Sequence, residues 1–471
     1  MTQASLQSQL ASALLARIPR GGELDRLLQS QPQSSHWDHL LAALKKVAND
    51  DNVAGGFPRA LRAAAQWLRS RLGPARAANL LSRLEVALGL RRPTLALYDH
   101  CLHIIGGGQK YGLTLVDALK DDFDVTILTH RPMEPASIRD WYGMDLSACS
   151  YRTVELPEFA DSGSHIDPAR VTRNMANPFH RVSRLSGAFD VFVNNSMNEM
   201  VFPLAGISTM VCHFPERRPA AYFYADRYDY VIYNSEYTAG WIEKKWKFTP
   251  HVHIYPPVDM PPEETPEDKD PIILSVARFE QGGSKRQKEM VQAFLTLRRR
   301  FPEETRDWHL VLAGGSSENN PYLEELRSEI RATGDTHIRL RVNITSEELH
   351  TLYLRAAVFW HLCGLHQTDP ALVEHFGMTI GEAMQNGLVP VVFDGGGQRE
   401  IVKPGETGFR VRTLEELIRH TRRLINDPAM RRRCGRAALE SSRRFDRPRF
   451  TREVRQFFME RLNHYTNPQL P

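Results

Sequence analysis

From Thr94 onward the sequence alternates short apolar strands with helical stretches, and it does so twice, on either side of a proline- and acid-rich stretch. That alternation is what most limits the fold. Strand candidates in the first half are Thr94–Tyr98, Phe123–Leu128, Val191–Val193, Thr209–Cys212 and Tyr230–Tyr233, with helices near Tyr111–Leu119 and Thr238–Lys245. Near-continuous apolar strands separated by helices describe parallel sheets covered on both faces. The stretch from Pro256 to Asp270 contains Pro256, Pro257, Pro261, Pro262, Glu263, Glu264 and Pro266, a linker composition. Beyond it the pattern restarts, with strands expected at Ile272–Val276, His309–Leu312, Ile338–Leu340, Val358–Trp360 and Val389–Phe393. A helix expected over Phe445–Leu462 closes the chain. The expectation is two doubly wound α/β domains facing a cleft, with ligands at the carboxyl ends of both sheets.

The first 92 residues differ from the rest. Leu6, Leu10, Leu14 and Ile18 fall on one helical face, as do Leu61, Ala64, Ala65, Leu68 and Leu72, and then Leu80, Leu84 and Leu88. An all-helical segment is expected over 1–92, followed by domains at 93–258 and 259–444 and a closing helix and tail at 445–471. The net charge of +4 decides little, but residues 1–92 hold 13 Lys+Arg against 6 Asp+Glu. Their arginines could simply be solvated, or could dock onto a protein partner, a second subunit or an anionic membrane. No nucleic-acid partner is expected. The five cysteines show no C-x-x-C pair, which fits reduced thiols. Met1–Arg20 is too polar for a signal peptide, and no run approaches the ~18 apolar residues of a membrane span. A cytoplasmic protein, at most peripheral to the inner face of a membrane, is the expectation.

The stretch with chemical content is Glu374-His-Phe-Gly-Met-Thr-Ile-Gly-Glu382, followed by the strand from Leu388 and by Gly395, Gly396 and Gly397. Thr379 and Glu382 have the spacing of a capping box, and the helix N-terminus offers free N–H groups to a phosphate. Glu374 before that helix and Glu382 inside it can accept hydroxyls on opposite sides of the phosphate. Sugar, diphosphate and ribose in that order describe a nucleotide-sugar. Dipole compensation is the plain alternative for either carboxylate.

At these residues the chain resembles the retaining glycosyltransferases of family 4 (group 1), with the GT-B architecture, over roughly 94–463. Ile273-Leu-Ser-Val-Ala-Arg278, Lys285 and Ala293-Phe294 carry the resemblance, as do the strand ending at Gly314-Gly315 and the paired glutamates. So do Gly106-Gly107-Gly108, Cys212-His213-Phe214-Pro215, Asn234-Ser-Glu-Tyr-Thr238 and Tyr255-Pro-Pro-Val258. The resemblance implies catalytic roles for His213, Arg278, Lys285 and Glu374. It implies donor contacts at Gly107, Gly108, Gly314, Phe376, Gly377, Met378, Thr379 and Glu382. The donor would be a GDP-mannose-type or UDP-sugar, and the acceptor a glycan, lipid-linked or other hydroxyl, as in polysaccharide biosynthesis. No cofactor and no metal are expected, since two cations and a helix dipole can meet the diphosphate charge. Arg278 and Lys285 lie seven positions apart where the family has five, which leaves Lys288 as a rival for Lys285. Two other readings are a non-catalytic interaction protein on this scaffold and an NAD-dependent oxidoreductase. Tyr111 in place of the last glycine of G-x-G-x-x-G argues against the latter.

Overall fold

A computed structural model of the chain describes residues 82–466 except 84, 88, 161–165, 173, 217–221, 261–265 and 267. The helical stripes expected before residue 82 lie outside these described residues. The first sheet has seven strands: β1 (Thr94–Tyr98), β2 (Asp124–Thr129), β3 (Ser150–Thr153), β4 (Val191–Asn194), β5 (Ile207–Cys212), β6 (Tyr230–Tyr233) and β7 (Val252–His253). Their order is β3-β2-β1-β4-β5-β6-β7, and every pairing is parallel. The second sheet contains β8 (Asp270–Val276), β9 (His309–Gly314), β10 (Ile338–Val342), β11 (Ala356–His361), β12 (Val389–Phe393) and β13 (Phe409–Val411). Its order is β10-β9-β8-β11-β12-β13, again parallel throughout. Each sheet reverses its winding beside its first strand, β1 or β8. Those two switch points place the ends of β1 and β8, and so Asp99 and Arg278, at the cleft.

The strands are apolar because both faces are covered. β4, β5 and β11 are buried along their whole length. Of the helices, α1 (Gly107–Leu119) follows β1, α2 spans Pro135–Tyr142 and α3 spans His180–Ser186. The last helix of the first domain before β7 is α4 (Glu236–Trp246). In the second domain α5 (Gln287–Arg300), α6 (Pro321–Thr333), α7 (Ser346–Arg355), α8 (Met378–Gln385), α9 (Gln398–Ile401), α10 (Leu414–Asn426) and α11 (Pro428–Ser442) surround the sheet.

The closing helix, α12 (Arg447–Thr466), returns to the first domain. Phe450, Val454, Phe457, Phe458 and Leu462 are buried in the core formed by β1, β2, β4 and α1. Phe445, only two residues before that helix, packs in the core of the second domain. The two crossovers touch, since the Val258 amide donates to the Phe445 carbonyl at 2.7 Å. The domains are therefore joined by paired strands of chain, which limits how they move against each other.

The expected boundary at residue 92 falls inside a set of contacts. Arg91 makes two hydrogen bonds to the buried Asp190 at 2.6 and 2.8 Å, Arg83 Nε donates to the Tyr465 carbonyl at 2.8 Å, and Ala87 is buried. Residues from Ser82 are thus part of the first domain's structure. No helix among the described residues is long and apolar enough to cross a membrane.

Candidate active site

Helix α8 is entered through Gly377, whose φ of 110° is the left-handed region that glycine tolerates. Gly377 is the N-cap, so Thr379 and Glu382 lie inside the helix and do not form the expected capping box. The two-residue shift arises because the chain needs a glycine to turn into the helix. No side chain caps it and its first turn holds no acid, which leaves its N–H groups open toward the cleft. A capping box does occur elsewhere, at Thr345 and Glu348 on α7.

Two clusters flank that helix end. On one side, the Glu374 carboxylate accepts from Lys285 Nζ at 3.0 Å and contacts His361 Nε2 at 2.9 Å. Burial alone would push the Glu374 carboxyl up, but Lys285 and His361 overcome it and hold the group well below the ordinary carboxylate range. Burial acts to lower the Lys285 ammonium, and Glu374 more than reverses it. Cys363 Sγ lies 3.7 Å from Lys285 Nζ, and burial pushes its thiol up to about 12. On the other side, Glu382 accepts from the Tyr353 hydroxyl at 3.0 Å and meets Lys110 Nζ, from the opposite domain, at 3.4 Å.

Lys285 and Lys288 separate clearly. Gly282 and Gly283, both at positive φ, fold the extra residues into a loop that Ser284 ties to Glu280. Lys285 then turns inward to Glu374. Lys288 points to the outer face, where it pairs with Glu325 and Glu329 at 2.7 and 2.9 Å. Arg278 stands half-exposed at the end of β8 and pairs with Glu280 at 2.7 Å.

The opposite wall is built on the glycine loop. A Cβ on Gly107 would lie 3.0 Å from Met378 Sδ, and one on Gly108 would lie 3.2 Å from His213 Nε2. A side chain at either position would therefore press on the first residue of α8 or on the His213 ring. Burial, with His375 nearby, lowers His213 to about 4, and its Nε2 is buried without a partner. His375 is likewise lowered to about 4, mainly by burial, and its Nε2 is unpartnered. Its ring stacks on Phe214 at 4.2 Å.

Other expected donor contacts are placed differently. The Phe376 ring is buried between Tyr255 and Phe445, at 5.5 and 5.2 Å, so it packs the core and does not line the cleft. Gly314 lies behind Arg278: a Cβ there would collide with the Ala277 carbonyl, so this glycine lets β9 approach the end of β8.

Residues absent from the sequence-based set also shape the site. Asp99, buried after β1, accepts from Asn195 Nδ2 at 2.7 Å, and the same amide donates to the Gly108 carbonyl at 3.0 Å. That chain holds the glycine loop in place. Burial raises the Asp99 carboxyl, against the Cys101 amide and Asn195. Lys110, Tyr353 and His361 had no sequence signal beyond their neighbourhood, because each acts through a partner far away in the chain.

His361, Cys363 and Glu374 bring one ligand atom each within 4.8 Å of one another, the spacing of a metal site. The Lys285 ammonium already neutralises Glu374 there, so the donor set fits a fixed side-chain cation better than a divalent ion.

The profile of the family described as glycosyl transferases group 1 matches residues 259–441. A GDP-Man:Man(3)GlcNAc(2)-PP-Dol alpha-1,2-mannosyltransferase of Dictyostelium discoideum is 25% identical over 249 residues, covering 50% of this chain and 47% of that protein. The alpha-1,3/1,6-mannosyltransferase ALG2 of Rhizomucor pusillus is 28% identical over 215 residues, 38% of this chain and 46% of that protein. The chain thus spans about half the length of the curated relatives it matches. Among solved structures, Anabaena HepE in complex with UDP and glucose aligns with a TM-score of 0.58 at 17% identity, over 78% of this chain and 100% of that one. Sucrose-phosphate synthase from Thermosynechococcus elongatus aligns with a TM-score of 0.57 at 19% identity, over 78% and 99%. The fold is GT-B.

Proposed function

We propose that this chain, whose residues 259–441 match the group 1 glycosyl transferases, moves a sugar from a nucleoside-diphosphate sugar to a hydroxyl acceptor with retention of anomeric configuration. The supporting observation is the open N-terminus of α8, with a cation–carboxylate pair on one side and a second carboxylate on the other. The diphosphate lies on that helix end. Glu382, presented by Tyr353, accepts the ribose hydroxyls. Lys285 and Arg278 meet the charge that grows on the β-phosphate as the bond to the sugar breaks. Glu374, held ionised by Lys285 and His361, accepts hydroxyls of the sugar.

His213, neutral above about pH 4, offers its unpartnered Nε2 to the sugar from the opposite wall. A front-face path is proposed, in which the leaving phosphate takes the acceptor proton. The reaction runs without a metal, Lys285 and the α8 dipole supplying the positive charge.

The two relatives named above are mannosyltransferases, one named for a GDP-Man donor and a dolichol-linked acceptor. A GDP-mannose-type donor and a lipid-linked glycan acceptor are therefore the first pair to try. Peripheral contact with a membrane surface follows for an acceptor of that kind. Thermal shift with GDP-mannose, UDP-glucose, UDP-N-acetylglucosamine and NAD tests the donor, since a ligand held a hundredfold above its Kd stabilises by roughly 2.7 kcal/mol. Stabilisation by NAD alone, or by none of the sugar nucleotides at millimolar concentration, refutes the reading. Loss of transfer on adding EDTA refutes the metal-free part.

A further inference from the structure

The start of α4 holds the two walls of the cleft together, and the residue that does most of this belongs to the other domain. Glu400, on α9, accepts from the backbone amides of Glu236 and Tyr237, both at 3.0 Å, one at each carboxylate oxygen. These are first-turn amides of α4, which have no partner within their own helix. A carboxylate there also meets the positive end of the helix dipole. The Tyr255 hydroxyl adds a third contact at 3.3 Å.

The same turn of α4 holds both histidines. Asn234 Nδ2 and Thr238 Oγ1 donate to the His213 carbonyl at 3.2 and 3.1 Å. Ser235 Oγ donates to the His375 carbonyl at 2.6 Å, and Tyr237 donates to the Pro370 carbonyl at 3.1 Å. The His375 ring in turn stacks on Phe214, the neighbour of His213.

Glu400 is also tied rigidly to its own domain's half of the site. Gly396 and Gly397 precede α9 and lie flat against the Glu374 and His375 backbone, where a Cβ on either would collide with a carbonyl of that segment. The Gly397 amide donates to the Glu374 carbonyl at 2.9 Å. Glu400 thus reaches from the Glu374–His375 segment to the element whose start binds the His213 carbonyl.

We infer that Glu400 is a positioning residue for sugar transfer: by capping α4 across the domain boundary it fixes His213 of one domain against Glu374 and His375 of the other. The inference rests on the transfer reading above. It predicts a division of effects. Nucleotide binding rests mainly on Glu382 and the α8 N-terminus of the second domain, neither of which Glu400 touches, and is indifferent to it. Transfer needs both walls in register and depends on it, because a misplacement of about 1 Å in a two-sided site costs on the order of a hundredfold.

The experiment uses the full chain with Glu400→Gln and, separately, Glu400→Asp. It measures GDP affinity by calorimetry, kcat for sugar transfer, the melting temperature and the small-angle scattering profile. Glu400→Gln keeps one acceptor oxygen but sets an NH2 against an amide. The expected result is GDP affinity within about twofold of wild type, kcat at least tenfold lower and a scattering curve that broadens toward larger dimensions. Glu400→Asp, too short to reach both amides, is expected to behave likewise. Unchanged kcat and scattering in both variants overturn the inference. So does a GDP affinity that falls as far as kcat, which is the mark of general loosening of the second domain. If wild type transfers from no sugar nucleotide, the transfer reading falls, and with it the assignment of Glu400 to that reaction. The scattering change would then show a domain clamp and nothing more.

Discussion

Replacing Lys285 by methionine removes one member of a buried pair and leaves the other in place. The two side chains are 20% and 18% exposed, so most of the solvent that would relieve a lone Glu374 carboxylate is excluded. Breaking such a pair from one side costs about 3–5 kcal/mol, and the partial exposure and the remaining His361 contact favour the lower end, about 3 kcal/mol. For a domain of this size that corresponds to roughly 6–12 °C in melting temperature. Glu374→Gln in the Lys285→Met background removes the stranded charge, so the double variant should be more stable than the sum of the single effects by about 1 kcal/mol or more. The pH dependence has a definite sign. Glu374 lies well below its ordinary 4.5 in the folded chain, so its contribution is present above that value and is lost as pH falls through the lowered folded value. Lys285 is raised above its ordinary 10.5, so its side of the pair persists through pH 10. Without Lys285, burial raises the Glu374 carboxyl, so the gap between wild type and Lys285→Met should be widest from neutral pH to pH 9 and should narrow as the pH falls toward 4. Calorimetric melts across that range measure it. A shift under 1 °C at pH 7, or strict additivity in the double variant, refutes the claim that Lys285 and Glu374 form one unit.

Further outcomes follow from the same geometry. Glu382→Ala should lower GDP affinity tenfold or more, and Tyr353→Phe by several-fold, because a hydrogen bond to a charged group is worth about 1.5–3 kcal/mol; isothermal titration decides, and equal affinity in folded variants removes the ribose role. Lys288→Ala should leave kcat within twofold while Arg278→Ala lowers it more than it weakens GDP binding, a split read by steady-state kinetics beside titration. His213, His253 and His375 all fall to about 4 in the fold, so each contributes stability above its ordinary 6.5 that drains away as pH drops from 6.5 toward 4. His253→Gln should flatten that acid slope in thermal melts. Arg91→Ala strands the buried Asp190 and should cost about 2–4 kcal/mol by denaturant titration, so truncation after residue 92 should destabilise the body more than truncation after residue 80.

The sheets were legible where burial wrote continuous apolar runs: Thr94–Tyr98, Tyr230–Tyr233 and Val389–Phe393 have the expected limits. The strands without a sequence signal, Ser150–Thr153, Val252–His253 and Phe409–Val411, are all edge strands, the last two only two and three residues long. A strand at an edge, or of that length, needs no two-sided apolar run. In the cleft, the paired glutamates, Lys285 and the glycine loop stood out because close approach and charge restrict residue type locally. The capping box was misread for a physical reason: Thr-x-x-Glu spacing carries no information about whether the preceding glycine must already be turning into the helix.

What sequence could not supply is partnership across the cleft. Glu382 with Lys110 and Glu400 with the α4 amides are separated by 163 or more positions, and each is set by how two parallel sheets face one another. Local pattern builds each sheet, each sheet's switch point brings its loops to the cleft, and only there do these carboxylates acquire the partners that fix their charge and direction. Glu400 shows the consequence. In sequence it is an acid in a four-residue helix after three glycines. In the fold those glycines press it against the Glu374–His375 segment, and its carboxylate reaches the helix start that binds the His213 carbonyl. A role of that kind belongs to neither domain alone, and its test is correspondingly a loss of transfer with nucleotide binding kept.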